Sequence, residues 1–194
     1  MGLASVLFGG RKRLKGAKLD KLFALSTAQV TLETELGLKS AGVAAVVSKA
    51  LSAGEFMRAE QDLDELLGVA ARDSGSRVRR RSDSFGFEWI VIHDQDFEDL
   101  VTTTHLVSSE LSDRGFGGQL LAAIFAFRDR KREHPVYLIY GYKRGTFWPF
   151  VPSAEEQERD NSEEMRLKNV LETELPIEPD LTRWLALFNA PLDE

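Results

Sequence analysis

The residues most able to do chemistry in this chain are three histidines, a handful of spaced carboxylates and one aromatic hairpin that carries two cations. His93, His105 and His134 fall in different predicted elements, and none forms the two-histidine helical spacing of a metal site. Cysteine is absent, which excludes disulfides, thiolate zinc sites, iron–sulfur clusters and a cysteine nucleophile together. Ser74 and Ser76 lie in a polar loop without the strand-to-helix elbow that exposes a serine nucleophile. Phe116, Gly117 and Gly118 are followed by no Lys-Ser or Lys-Thr pair, and their glycine spacing does not match a dinucleotide fold. Asp83, Glu88, Asp94, Asp96 and Asp99 hold enough carboxylate for acid–base work, yet their spacing equally suits caps, turns and solvation. No catalytic residue, metal ligand or cofactor is assigned, and the expectation is a binding protein, not an enzyme.

The densest unusual patch runs from Tyr140 to Phe150, YGYKRGTFWPF. A Lys-Arg-Gly turn between two aromatic strands places Lys143 and Arg144 where they can grip a carboxylate, a phosphate or an acidic helix. Tyr142, Lys143, Arg144 and Trp148, with the downstream run Arg159, Asp160 and Asn161, are the candidate partner contacts. The competing reading packs Tyr140, Tyr142, Phe147 and Trp148 in the core and leaves the two cations as decoration of a hairpin tip. Nucleic acid is disfavoured as the partner, because the chain is acidic with a pI near 5.2. A second functional class is a small-ligand protein or enzyme with a pocket near His105, between the sheet and the helix over residues 94–113.

The net charge of −6 conceals segregation along the chain. Arg11, Lys12, Arg13, Lys15, Lys18 and Lys21 cluster near the N-terminus, whereas residues 155–164 are strongly acidic. Leu3, Val6, Leu7 and Phe8 precede the basic cluster, an order that lets a segment rest on an anionic membrane, each cation adding about 1 kcal/mol. Leu3, Leu7, Phe8, Arg11, Lys12 and Arg13 are therefore the candidate membrane contacts, in a tail over residues 1–18 ahead of a single domain over 19–194. The competing reading packs this apolar patch on the protein's own core or leaves it disordered. The attachment would be weak, because Val6 stands where the myristoylation pattern requires Ser or Thr. No signal peptide or membrane span is legible, so the expected location is the bacterial cytoplasm, peripheral at the inner face of the membrane.

The elements that must position these residues read as one α+β domain, sized for a single core at 194 residues with 43% apolar composition. Val30, Leu32, Thr34 and Leu36 alternate as a strand, and with Val43 to Lys49 predict a β-hairpin turning at 37–42. Phe56 to Ala70 has helical spacing. Arg77 to Ser82 and Phe85 to His93 predict a strand pair, with one bent strand as the alternative because Asp83 to Gly86 is a short connection, and the second segment is covered on both faces. Asp94 or Asp96 caps a helix whose face is Phe97, Leu100, Val101, Thr104, Val107, Ser108 and Leu111. Leu120 to Phe127, Val136 to Tyr142 and Thr146 to Phe150 predict an antiparallel three-strand meander. An acidic helix from Pro152 to about Glu174 and a last helix over Leu181 to Phe188 complete a mostly antiparallel sheet with flanking and C-terminal helices.

The order of SFGFEW at 84–89, GFGGQLL at 115–121, YKRGTFWPF at 142–150, RDN at 159–161 and LPIEPDLTRW at 175–184, after a short MGL start, resembles the PspAB family of PspA-associated proteins. That family belongs to the phage-shock systems of actinobacteria and archaea. The resemblance implies a role beside PspA, the membrane-associated helical protein that senses and mends envelope damage. It implies no known enzymatic activity and brings no established site residues.

Overall fold

The computed structural model describes residues 17–49, 68, 75–155, 157–188 and 190–192. The predicted helix over 56–70 and the N-terminal segment to residue 16 lie outside them, apart from Gly68, which is helical.

The described chain opens with a 3-10 turn, Asp20–Phe23, followed by α1 (Ala24–Thr27) and α2 (Gln29–Thr34). This corrects the strand expected over 30–36, and the reason is spacing. Leu22, Leu25, Ala28 and Leu32 recur every three or four residues and are fully buried, whereas Val30, which made the alternation look convincing, is 69% exposed. The predicted hairpin therefore does not form. Gly37, at φ +69°, ends the helical stretch and leads directly into β1 (Leu38–Lys49).

Six strands form one antiparallel sheet in the order β2-β3-β1-β4-β5-β6, with β2 (Arg77–Ser82), β3 (Phe87–His93), β4 (Leu120–Asp129), β5 (Val136–Gly141) and β6 (Thr146–Phe150). The strand pair β2–β3 and the meander β4–β5–β6 form as their turn lengths require. Asp83 closes the β2–β3 turn by accepting from the Phe85 and Phe87 amides and the Trp89 indole, each at 2.9 Å. β1 and β4 are the two middle strands, and their register slips between Ser40 and Ala44, where Gly42 adopts φ +74° in a bulge. A side chain there would meet the Asp94 carbonyl at 3.1 Å.

Alternation along β1 and β3 sends side chains into two separate cores. Ala44, Val46, Ile90 and Ile92 face the helices, where α3 (Phe97–Leu111) and α2 pack; Val43, Ala45, Trp89 and Val91 face the opposite side. α3 starts as expected: Asp96 accepts from the Glu98 and Asp99 amides, and all seven residues of the anticipated face are buried.

The C-terminal third departs from expectation twice. The acidic helix is shorter, α4 (Asn161–Leu171), because Pro152 and Arg159 bridge to each other and Asp160 then caps the helix through the Glu163 amide. The last helix is only a 3-10 turn, Leu181–Arg183. Beyond it the Trp184 and Leu185 carbonyls, which a helix would give to its own amides, instead accept from Arg159 and from the Trp148 indole. The extended chain lies over the second sheet face through Trp184, Phe188 and Leu192. The outer edge of β6 is covered by the 176–178 segment, with Phe147 N–H donating to Pro176 and the Glu178 amide to Phe147. Among the described residues no helix is long and apolar enough to cross a membrane.

Candidate partner-binding site

The hairpin tip between β5 and β6 is a tight turn in which the Arg144 and Gly145 amides both donate to the Gly141 carbonyl. Lys143 and Arg144 project from it and are exposed. Lys18 lies across the tip: its amide donates to the Tyr142 carbonyl at 2.9 Å, its Nζ to the Arg144 carbonyl at 2.9 Å, and its carbonyl accepts from the Tyr140 hydroxyl at 2.6 Å. Gly145, at φ +70°, makes this approach feasible, since a Cβ would stand 3.0 Å from Lys18 Cδ. The root of the basic N-terminal segment is thus fastened to the cationic hairpin.

Behind the tip sits Glu178, 2% exposed. Its carboxylate accepts from Thr146 Oγ1 at 3.0 Å and the Asp180 amide at 3.2 Å, with the guanidinium groups of Arg144 and Arg183 at 3.7 and 3.6 Å. One buried anion therefore stands between two cations that reach the surface. Leu181 and Leu185, on either side of Arg183, are 51% and 63% exposed. The surface beside the tip mixes cationic and apolar groups.

The predicted contacts divide sharply. Lys143 and Arg144 are at the surface, and Asn161 is exposed at the first turn of α4. Tyr142 is fully buried and its hydroxyl is hydrogen-bonded to Ser108; burial pushes that phenol above its ordinary range. Trp148 is buried on the opposite sheet face. Arg159 is turned inward, its guanidinium over the Phe150 ring and against Glu164. Asp160 caps α4 and pairs with Arg132 at 2.9 Å; the Glu163 amide and then Arg132 hold its carboxyl below the ordinary carboxylate value. The core-packing reading thus describes the aromatics, and only the cations of the hairpin face outward. The membrane candidates Leu3, Leu7, Phe8, Arg11, Lys12 and Arg13 lie outside the described residues.

Among the described residues, His105 meets Phe23 and Ser109 and joins no cluster of carboxylates. Its ring lies tilted against Phe23 at 4.4 Å between centroids and its Nδ1 lies 3.5 Å from Ser109 Oγ; burial holds its pKa below the ordinary value, against the pull of Asp20. Among the described residues no group of three or more metal-binding side chains is assembled.

Two features escaped sequence reasoning. Glu178 gave no signal because Arg144 and Thr146, which bring it to the hairpin, are more than thirty residues away in the chain, and Arg183 joins the hairpin only through it. The run Arg77, Arg79 and Arg81 was legible as a strand, but its consequence is geometric: alternate residues pair with His93, Val91 and Trp89 and so share one face of edge strand β2.

No curated protein and no solved structure matches this chain. The family model PspAB, PspA associated protein B, matches residues 1–192. With nearly the whole chain covered, this protein belongs to the PspAB family.

Proposed function

We propose that the protein is a non-catalytic adaptor of the phage-shock envelope-stress response that docks PspA or a related helical partner at the cationic hairpin tip, in the cytoplasm beside the inner face of the membrane. The observation that carries this reading is the attachment of Lys18 to the tip. Chain connectivity alone then keeps Arg11, Lys12, Arg13 and Lys15 within about 25 Å of Lys18, which is itself bonded to the tip. Two basic regions separated by more than a hundred residues in sequence act as one pole, bordered by exposed Leu181 and Leu185. An acidic amphipathic helix offers matching charge and a matching apolar stripe. The family's own description, PspA associated protein B, supports PspA as that helix.

Calorimetry with PspA from the same organism tests the reading. Binding is expected to weaken at least tenfold in Lys143→Glu/Arg144→Glu and to fall as salt rises. Absence of binding at tens of micromolar by the folded protein removes the proposal, as does binding to anionic vesicles with none to PspA.

A further inference from the structure

The register of the sheet gathers several turns at one end of it. Lys49, the last residue of β1, pairs with Phe87 at the start of β3; Ser48 pairs with Leu120 at the start of β4, and Ala122 with Gly141 at the end of β5. The β2–β3 turn and the β5–β6 tip therefore lie at the same end. Four interstrand spacings of about 4.8 Å put the two hairpins about 19 Å apart, at opposite corners of that end.

Phe85 lies in the β2–β3 turn and is 84% exposed, more than any other large apolar side chain among the described residues. A single exposed apolar residue is ordinary in itself. What sets this one apart is that a rigid turn presents it and the turn has no use for it. The Gly86 amide closes the reversal on the Asp83 carbonyl at 3.3 Å, and the Asp83 carboxylate takes the Phe85 and Phe87 amides. Phe85 contributes only its N–H to this scheme, which any residue but proline would supply. The fold therefore fixes where the ring points without requiring a ring.

Cations stand behind it. Arg79 and Lys49 are exposed and Arg81 is half-buried. Arg79 and Arg81 share one face of β2, and at about 3.3 Å per residue they follow Asp83 at about 13 and 7 Å. The acids of the same corner are met by donors: Glu88 accepts from Arg80 at 2.9 Å and Ser82 at 2.7 Å, and Asp83 from its turn amides and the Trp89 indole. Asp113, exposed in the neighbouring turn, is followed directly by Arg114. In a chain at −6 this corner is a local concentration of positive charge around a projecting ring.

We infer that the β2–β3 corner is a docking surface for an anionic lipid bilayer, with Phe85 entering the boundary between headgroups and acyl chains and Lys49, Arg79 and Arg81 lying against the headgroups. A convex tip needs a concave pocket on a protein partner, whereas a bilayer yields around an inserted ring. The long arginine side chains bridge the depth between strand and headgroup, and each cation adds electrostatic attraction to an anionic leaflet. This surface is separate from the N-terminal segment and from the partner-docking tip, and it does not rest on the partner reading.

Co-sedimentation of the full chain with vesicles of phosphatidylglycerol and phosphatidylcholine in equal parts, and with phosphatidylcholine alone, tests the inference. Binding to the anionic vesicles is expected, weakened about fivefold in Phe85→Ala and about tenfold in Arg79→Gln/Arg81→Gln, with urea midpoints confirming that the variants are folded. Phe85→Trp should gain fluorescence quenching by brominated acyl chains over the wild-type protein, whose Trp89, Trp148 and Trp184 are all buried. Lys143→Gln/Arg144→Gln should leave that quenching in place at saturating lipid. The inference fails if the full chain does not bind anionic vesicles, if Phe85→Ala binds them within about twofold of wild type, or if Phe85→Trp shows no added quenching on bound vesicles. It also fails if Phe85→Ala weakens binding to PspA and leaves vesicle binding intact, an outcome that would give the corner to a protein partner.

Discussion

Arg159 holds Glu164 with its Nε 2.9 and 3.0 Å from the two carboxylate oxygens, while its Nη1 donates to the Trp184 carbonyl at 2.7 Å. The Glu164 side chain is 3% exposed and also accepts from the Val151 amide. A single guanidinium therefore joins α4, the end of β6 and the C-terminal segment. Arg159→Ala strands a buried carboxylate and is expected to destabilise the protein by about 3–5 kcal/mol in urea unfolding. Arg159→Met/Glu164→Leu, which removes both charges and keeps volume, should cost less than the single change. A double variant as unstable as Arg159→Ala would mean that the lost bond to Trp184 dominates.

Glu178 offers a milder version of the same test. Glu178→Gln keeps one acceptor oxygen, for either Thr146 or the Asp180 amide, and removes the charge between Arg144 and Arg183. Because both arginines are nearly half exposed, the expected loss is about 1 kcal/mol. Glu178→Ala leaves the Thr146 hydroxyl without its acceptor and should cost about 1–3 kcal/mol, read from the same urea midpoints.

What the sequence made legible follows from the range of the interactions involved. Local signals succeeded: the Asp96 cap and the apolar face of α3, the short turns of β2–β3 and the β4–β6 meander depend on residues a few positions apart. Val30 to Leu36 failed because four alternating residues satisfy both periods, and only the burial of Leu25, Ala28 and Leu32 separates helix from strand. The 181–188 helix failed because Arg159 and Trp148 take its carbonyls from a distance. At the candidate site the types of Lys143 and Arg144 marked the tip correctly as a surface turn. That Tyr142 would be occupied by Ser108, and Arg159 by Glu164, could not be read, since those partners are set by tertiary packing.

Acid sensitivity has an identifiable source at the β2–β3 turn. Burial raises the Asp83 carboxyl, but the Phe87 amide, the Trp89 indole and the Phe85 and Gly86 amides outweigh it and hold the pKa below the ordinary 3.8. A lowered folded value means that Asp83 contributes stability above 3.8 and loses it as pH falls through the folded value. Urea midpoints should therefore decline below about pH 5. Asp83→Asn, which keeps one carbonyl acceptor for the turn amides, should flatten that decline. An unchanged slope would place the acid sensitivity in the other two lowered carboxyls, Asp160, held by the Glu163 amide and Arg132, and Asp180, held by Thr182.

Gly145 and Gly86 separate backbone strain from the Lys18 contact. Both have positive φ, +70° and +81°, so alanine at either carries a left-handed backbone cost of about 1 kcal/mol. Around Gly86 a new Cβ meets nothing within 4 Å, whereas at Gly145 it stands 3.0 Å from Lys18 Cδ, 3.1 Å from Lys18 Cβ and 3.3 Å from the Tyr140 hydroxyl. Gly145→Ala must therefore also push Lys18 back by a few tenths of an ångström, and its loss of stability should exceed that of Gly86→Ala. The functional consequence follows from connectivity, since loosening Lys18 loosens the link between the basic N-terminal segment and the tip. Gly145→Ala should weaken PspA binding by several fold while Gly86→Ala leaves it unchanged, measured by calorimetry on folded protein. Equal affinities for the two variants would show that the tether of Lys18 to the hairpin plays no part in docking.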